Sequence, residues 1–144
     1  MTLSDDVVHY TSPLLHEKRI HTVTGLGTYQ VIDPTTSLPI LTEKLKRYRE
    51  RTFWLANIAL AGGHLYLMDE FGATLVLTPG TNYQEIAYNK FQDLEKMEKE
   101  HGNVNEAERF YGSPAFFGDR IFIRGSQYLY CLGQTTHPRS VSSQ

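Results

Sequence analysis

The chain repeats itself, and that constrains its fold more than any other feature. Three segments superpose when aligned on a small or amide residue followed seven positions later by a polar residue that opens a β-prone run: Ser12 with Arg19, Asn57 with His64, Ser113 with Arg120. They read TSPLLHEKRIHTVTGLGTYQVIDP, ANIALAGGHLYLMDEFGATLVLTP and GSPAFFGDRIFIRGSQYLYCLG. Each holds a short apolar strand, a tight turn, a second strand, another turn and a third strand. The first turns are His16-Glu17-Lys18, Ala61-Gly62-Gly63 and Gly118-Asp119.

In the first two units a fourth segment follows, Leu38 to Lys44 and Gln84 to Asn89, after turn residues Asp33-Pro34 and Thr78-Pro79-Gly80. Four antiparallel strands at this spacing form a meander with the length of a propeller blade. From Arg19 to His64 the repeat is 45 positions, whereas from His64 to Arg120 it is 56. The excess falls in FQDLEKMEKEHGNVNEAERF, where Asp93 to Glu100 is helix-forming, Phe91, Leu94 and Met97 share one face, and Gly102 is a natural stop. The expected architecture is therefore all-β: a partial β-propeller of about three four-stranded antiparallel blades with one helical insertion at residues 91–109. It is read as a single segment, with blade units at about 11–46, 54–90 and 111–134 and a polar tail at 135–144. The third unit stops after its third strand. Ile121 and Ile123 lie on one face of their strand and Phe122 on the other, which predicts burial on both faces by stacked blades.

The composition excludes several function classes. With a net charge of -2 and a pI near 6.3, the chain has no global attraction for nucleic acid or an anionic membrane. No apolar run approaches the roughly 18 to 20 residues of a membrane span. The start, MTLSDDVVHY, lacks the pattern of a signal peptide, so a cytoplasmic location is expected of the chain as it stands, and a periplasmic or secreted one if it is the trailing part of a longer protein. One cysteine excludes an internal disulfide framework.

No catalytic constellation is present. His9, His16, His21, His64, His101 and His137 are scattered, with no pair at i,i+2 or i,i+4 and no carboxylate cluster beside them, so no metal is expected. His64 stands where Arg19 and Arg120 stand in the other units and is read as structural; His21 is read as a packed or surface residue. No G-x-S-x-G elbow sets a base beside a nucleophile. Cys131 lies inside a strand without cations nearby and is expected to be a buried small hydrophobe. Gly25-Leu26-Gly27 joins two strands and is a hairpin turn, not a phosphate cradle. In KLKRYRERTFW the residues Arg47, Arg49, Arg51 and Trp54 are candidates for an interaction stretch, since basic residues interleaved with aromatics can bind single-stranded nucleic acid. Glu43 and Glu50 dilute that charge, and the favoured reading is a solvated connector with Trp54 plugging the joint between blades.

The unit Ser-Pro, two apolar residues, a turn, Arg and a β run, closing on Leu129-Tyr130-Cys131-Leu132-Gly133, resembles the PQQ-like β-propeller repeat family. The resemblance covers roughly residues 11 to 134. In that family a blade ends in an acidic turn, Thr-Gly-Lys and then a Trp that docks the neighbouring blade. Those positions fall on Asp33, Thr36, Ser37, Leu38 and Leu41, of which Asp33 and Thr36 match. A quinone cofactor with Ca²⁺ would need a stacking indole, basic carboxylate partners and an acidic cluster; one Trp and no such cluster argue for no cofactor.

Propellers need at least four blades, so an incomplete ring leaves sheet faces and a strand edge uncovered. Association is therefore expected, with a second copy or with the remaining blades of a larger propeller. The function expected is a non-catalytic protein-binding or scaffold module. The alternative is the C-terminal part of a quinoprotein-like or carbohydrate-active propeller enzyme whose active site lies outside this chain.

Overall fold

The computed structural model describes residues 10–45 and 52–133. The first unit is a four-stranded antiparallel meander of β1 (Leu14–His16), β2 (Arg19–Val23), β3 (Thr28–Asp33) and β4 (Leu38–Lys44). The second repeats it with β5 (Ala59–Ala61), β6 (His64–Met68), β7 (Thr74–Leu77) and β8 (Glu85–Asn89). The helix α1 (Leu94–His101) follows, and then a three-stranded sheet of β9 (Ala115–Phe117), β10 (Arg120–Arg124) and β11 (Leu129–Gly133). The fold is thus the expected all-β partial propeller. The helix begins on Asp93, whose carboxylate accepts from the Lys96 N–H, and ends on Gly102 in the left-handed conformation.

The repeat extends into turn geometry. β1 and β2 are joined by Glu17 and Lys18, both at positive φ (45° and 60°), and β5 and β6 by Gly62 and Gly63 at 54° and 75°. Two left-handed central residues match the twist of the flanking strands, which glycine meets without strain and Glu or Lys does not. Ser37, at the position where the resembled family has glycine, is also left-handed, with φ 59°.

At the opposite rim each blade closes its β-turn with a cap. The Thr24 N–H donates to the Thr28 carbonyl, and the Thr28 N–H donates back to Thr24 Oγ1 at 3.0 Å. In the second blade Asp69 takes this place: its N–H donates to the Ala73 carbonyl, and its Oδ1 accepts from the Phe71 and Ala73 N–H groups, each at 2.9 Å. The third blade has Gly125 there, with no side chain to cap the turn. Glu108, arriving from the helical insertion, puts its carboxylate where a Cβ on Gly125 would sit and accepts from the Gln127 N–H at 2.7 Å. A non-local carboxylate thereby does what a local side chain does twice before.

The connectors also repeat. The Trp54 N–H donates to the Gly25 carbonyl while the Phe53 carbonyl accepts from Glu70; the Phe110 N–H donates to the Glu70 carbonyl while the Arg109 carbonyl accepts from Ser126. Trp54 and Phe110, 1% and 0% exposed, are the plugs of the two joints between sheets. Around Trp54 the first sheet contributes Val23, Tyr29 and Val31 and the second Leu65, Leu67, Leu75 and Leu77. Around Phe110 lie Ala56, Met68 and Ile123, with Phe91, Ile121 and Tyr130 against them. Each such side chain contributes on the order of 1.5–3 kcal/mol when taken out of water, so the joints, not the individual meanders, hold the molecule together. Gly72 allows the second joint to close, because a Cβ at its φ of 82° would meet Phe110 and Phe91 at 2.8 Å.

Candidate interaction surface

Alternation along β9, β10 and β11 divides the third sheet into two faces. Phe116, Ile121, Ile123 and Leu132 face the second sheet across a small cavity that Tyr66 and Phe91 also line, and Tyr130 on the same face packs on Phe91 and Phe110. Ala115, Phe117, Phe122, Leu129 and Cys131 form the other face, flanked by Arg120 and Arg124. By the repeat this second face corresponds to the faces that bury Val23 and Met68 in the first two blades. Here it is open: Phe117 is 79% and Leu129 66% exposed.

This corrects two expectations. Burial on both faces of β10 holds for Ile123 but not for Phe122, which is half-buried, and Cys131 is exposed rather than buried. The reason is common to both: strand alternation assigns a residue to a face, but only a neighbouring sheet buries that face, and among the described residues none stands beyond the third sheet. Among the described residues β11 is also a sheet edge, paired on one side with β10, whereas the first two sheets carry a fourth strand at the equivalent place. An exposed edge next to an exposed apolar face is a template for further pairing.

A hydrogen-bond chain runs through the residues that anchor the repeat. The Ser12 N–H donates to Asn57 Oδ1 at 2.6 Å, and the Asn57 N–H donates to Ser113 Oγ at 3.1 Å. The first two blades thus each offer an entry N–H to the entry side chain of the next. Among the described residues no equivalent side chain follows Ser113, so the pattern stops at the same sheet whose apolar face is open.

The other chemistry lies elsewhere. Between α1 and the second blade is a cleft of about 720 Å³ lined in part by Phe53, Phe71, Glu98 and Asn103. Its wall is held by Arg109, whose guanidinium donates to Glu70 Oε2 at 2.6 Å and lies 4.0 Å over the Phe71 ring. Glu70 Oε1 also accepts from the Phe53 N–H. These groups are committed to joining the insertion to the blade. Beside them Asp69 is buried, and loss of solvent raises its carboxyl pKa to about 6 despite the backbone donors of Phe71, Gly72 and Ala73. At the opposite rim His21, 1% exposed, holds Tyr29 Oη at 2.7 Å through Nδ1. Burial and the nearby His16 ring depress the His21 pKa, and burial raises that of Tyr29.

Of the four residues singled out as an interaction stretch, Trp54 sits in the first joint with its indole covered, while Arg47, Arg49 and Arg51 lie outside the described residues. His64 bonds the Gly62 carbonyl of its own turn at 2.9 Å. His9 and His137 lie outside the described residues. Among the described residues no three His, Cys, Asp or Glu side chains are grouped to hold a metal. The juxtaposition of His16 and His21, ring centroids 6.4 Å apart, escapes a search for i,i+2 and i,i+4 pairs because a two-residue hairpin brings i and i+5 onto one face. No helix among the described residues is long and apolar enough to cross a membrane.

No family model matches the chain, and no curated protein matches it. Among solved structures, the chain is similar to BamB from Moraxella catarrhalis, a β-propeller, with a TM-score of 0.58 at 14% identity over 86% of this chain. The chain spans 33% of the length of that protein. Sheet order, joints and this likeness together show a propeller-type fold of which three blades are present here.

Proposed function

We propose that this chain is a non-catalytic propeller segment of the PQQ-like repeat kind that works as a protein-binding scaffold, with residues 11–134 acting as one unit inside a larger ring. The observation that carries the reading is the open side of the third sheet. Its apolar face, the β11 edge that is unpaired among the described residues and the end of the Ser12–Asn57–Ser113 chain coincide, and each is the half of a contact made twice within the molecule. The occupant with matching chemistry is a further antiparallel sheet that brings an apolar face and a side-chain acceptor for the Ser113 N–H. A match to a third of a solved propeller's length supports the same reading.

Solution mass tests it. Self-association at micromolar concentration that Phe117→Glu weakens at least tenfold is the expected result. A monomer that unfolds cooperatively and is indifferent to Phe117→Glu counts against it. The share of the solved propeller that this chain spans also favours a second reading, in which it is the trailing part of a quinoprotein-like or carbohydrate-active enzyme. A rise in melting temperature on adding Ca²⁺ with pyrroloquinoline quinone would support the quinone version, and none is expected.

A further inference from the structure

We propose that the cavity between the β1–β2 hairpin and the loop leading to β8 binds a compact oxyanion, held by the Arg19 guanidinium and the imidazoles of His16 and His21. The cavity measures about 220 Å³ and is lined by His16, Glu17, Arg19, His21, Gly80 and Thr81. Hairpin register places His16 directly opposite Arg19, with His21 next on the same face, so three nitrogen-bearing side chains converge without help from the rest of the fold. Arg19 donates through Nη1 to the Lys18 carbonyl at 3.3 Å and stands near the Asp33 carboxylate, and the remaining donors of its planar guanidinium suit the oxygens of a carboxylate or phosphate. His21 has Nδ1 occupied by Tyr29 Oη at 2.7 Å, which leaves Nε2 for a molecule in the cavity. Thr81 adds a hydroxyl, and Gly80 leaves its side of the cavity free of side chain. A cation is the less suitable occupant, because a guanidinium stands in the wall and, among the described residues, no three His, Cys, Asp or Glu side chains are grouped to hold a metal.

Around His21 lie His16, Glu17 and Arg19 of the β1–β2 hairpin and Tyr29 of β3; Asp33 stands near Arg19, and Tyr83, bonded to Glu85, lies beyond Tyr29. Glu17 lies 4.0 Å from His16 Nε2 with its side chain 83% exposed, so solvent screens it. Asp33 caps its own turn through the Thr35 N–H at 2.8 Å. An anion in the cavity would favour the imidazolium form of a facing histidine, so binding takes up a proton. Affinity then rises as pH falls, by up to about tenfold per pH unit for one linked proton.

Sulfate is the probe, because its charge is constant between pH 5.5 and 8; acetate titrated in parallel reports whether a carboxylate serves as well. Calorimetry at fixed ionic strength, set with NaCl, should give sulfate or acetate binding that tightens as pH falls. It should weaken at least tenfold in Arg19→Gln and lose much of its pH slope in His16→Asn. Both residues are partly exposed, and unchanged far-ultraviolet circular dichroism would show that neither variant unfolds. Binding of neither anion, equal affinity in wild type and Arg19→Gln, or a response to Zn²⁺ in place of either anion overturns the proposal. These outcomes are independent of the open face of the third sheet.

Discussion

Lys18 holds φ 60° in a turn whose counterpart in the next blade is Gly62-Gly63. A left-handed L-residue costs about 1–2 kcal/mol, so Lys18→Gly should stabilise the fold by roughly 1 kcal/mol, read as a higher urea midpoint with unchanged slope. Gly63→Ala should shift the midpoint the other way. Trp54 poses the opposite problem: its Nε1 is buried and finds no acceptor among the described residues. Trp54→Ala should cost about 3–5 kcal/mol through the cavity it opens. Trp54→Phe, which copies Phe110 at the second joint, should cost far less because it also removes an unsatisfied donor.

Among elements, the turn caps are the most instructive, since Thr24, Asp69 and the Glu108–Gly125 pair solve one problem in three ways. Gly125→Ala should destabilise by about 1–3 kcal/mol, because a methyl group displaces the Glu108 carboxylate and leaves the Gln127 and Tyr128 N–H groups without it. In a Glu108→Ala background the same substitution should cost much less, and a double-mutant cycle would measure the coupling. Protons act on the same elements with opposite signs. The folded chain keeps the Asp69 proton up to about pH 6, whereas the unfolded chain releases it near 3.8, so this contribution is full at low pH and lost as pH rises through 6. His21 is depressed in the folded state: its contribution is present above the ordinary value of 6.5 and is lost as pH falls through the folded pKa. The stability difference between Asp69→Asn and wild type should therefore change most between pH 4 and 6. The loss of wild-type stability on acidification below 6.5 should be reduced in His21→Phe. Denaturant midpoints across pH 4.5–8 would read both.

For the whole molecule, three repeats were legible because each meander writes its own turns and alternation: Glu17-Lys18, Gly62-Gly63 and Gly118-Asp119 fall where the hairpins are, and the insertion carries its own cap and stop. That the last unit carries three strands among the described residues was legible for the same reason. What was not legible is what depends on a neighbour. Cys131 reads as a strand interior, but it is exposed, and among the described residues its face has no sheet against it. Glu108 lies within the helical insertion and carries no local signal, though it completes a turn 17 residues away, at Gly125. His16 and His21 read as scattered until a hairpin sets them side by side. Sequence alone determined the strands, their turns and the repeat, because backbone propensity and alternation act within a few residues. Tertiary structure decided which faces are covered and which side chains meet, because burial belongs to pairs of sheets and no single strand encodes its partner.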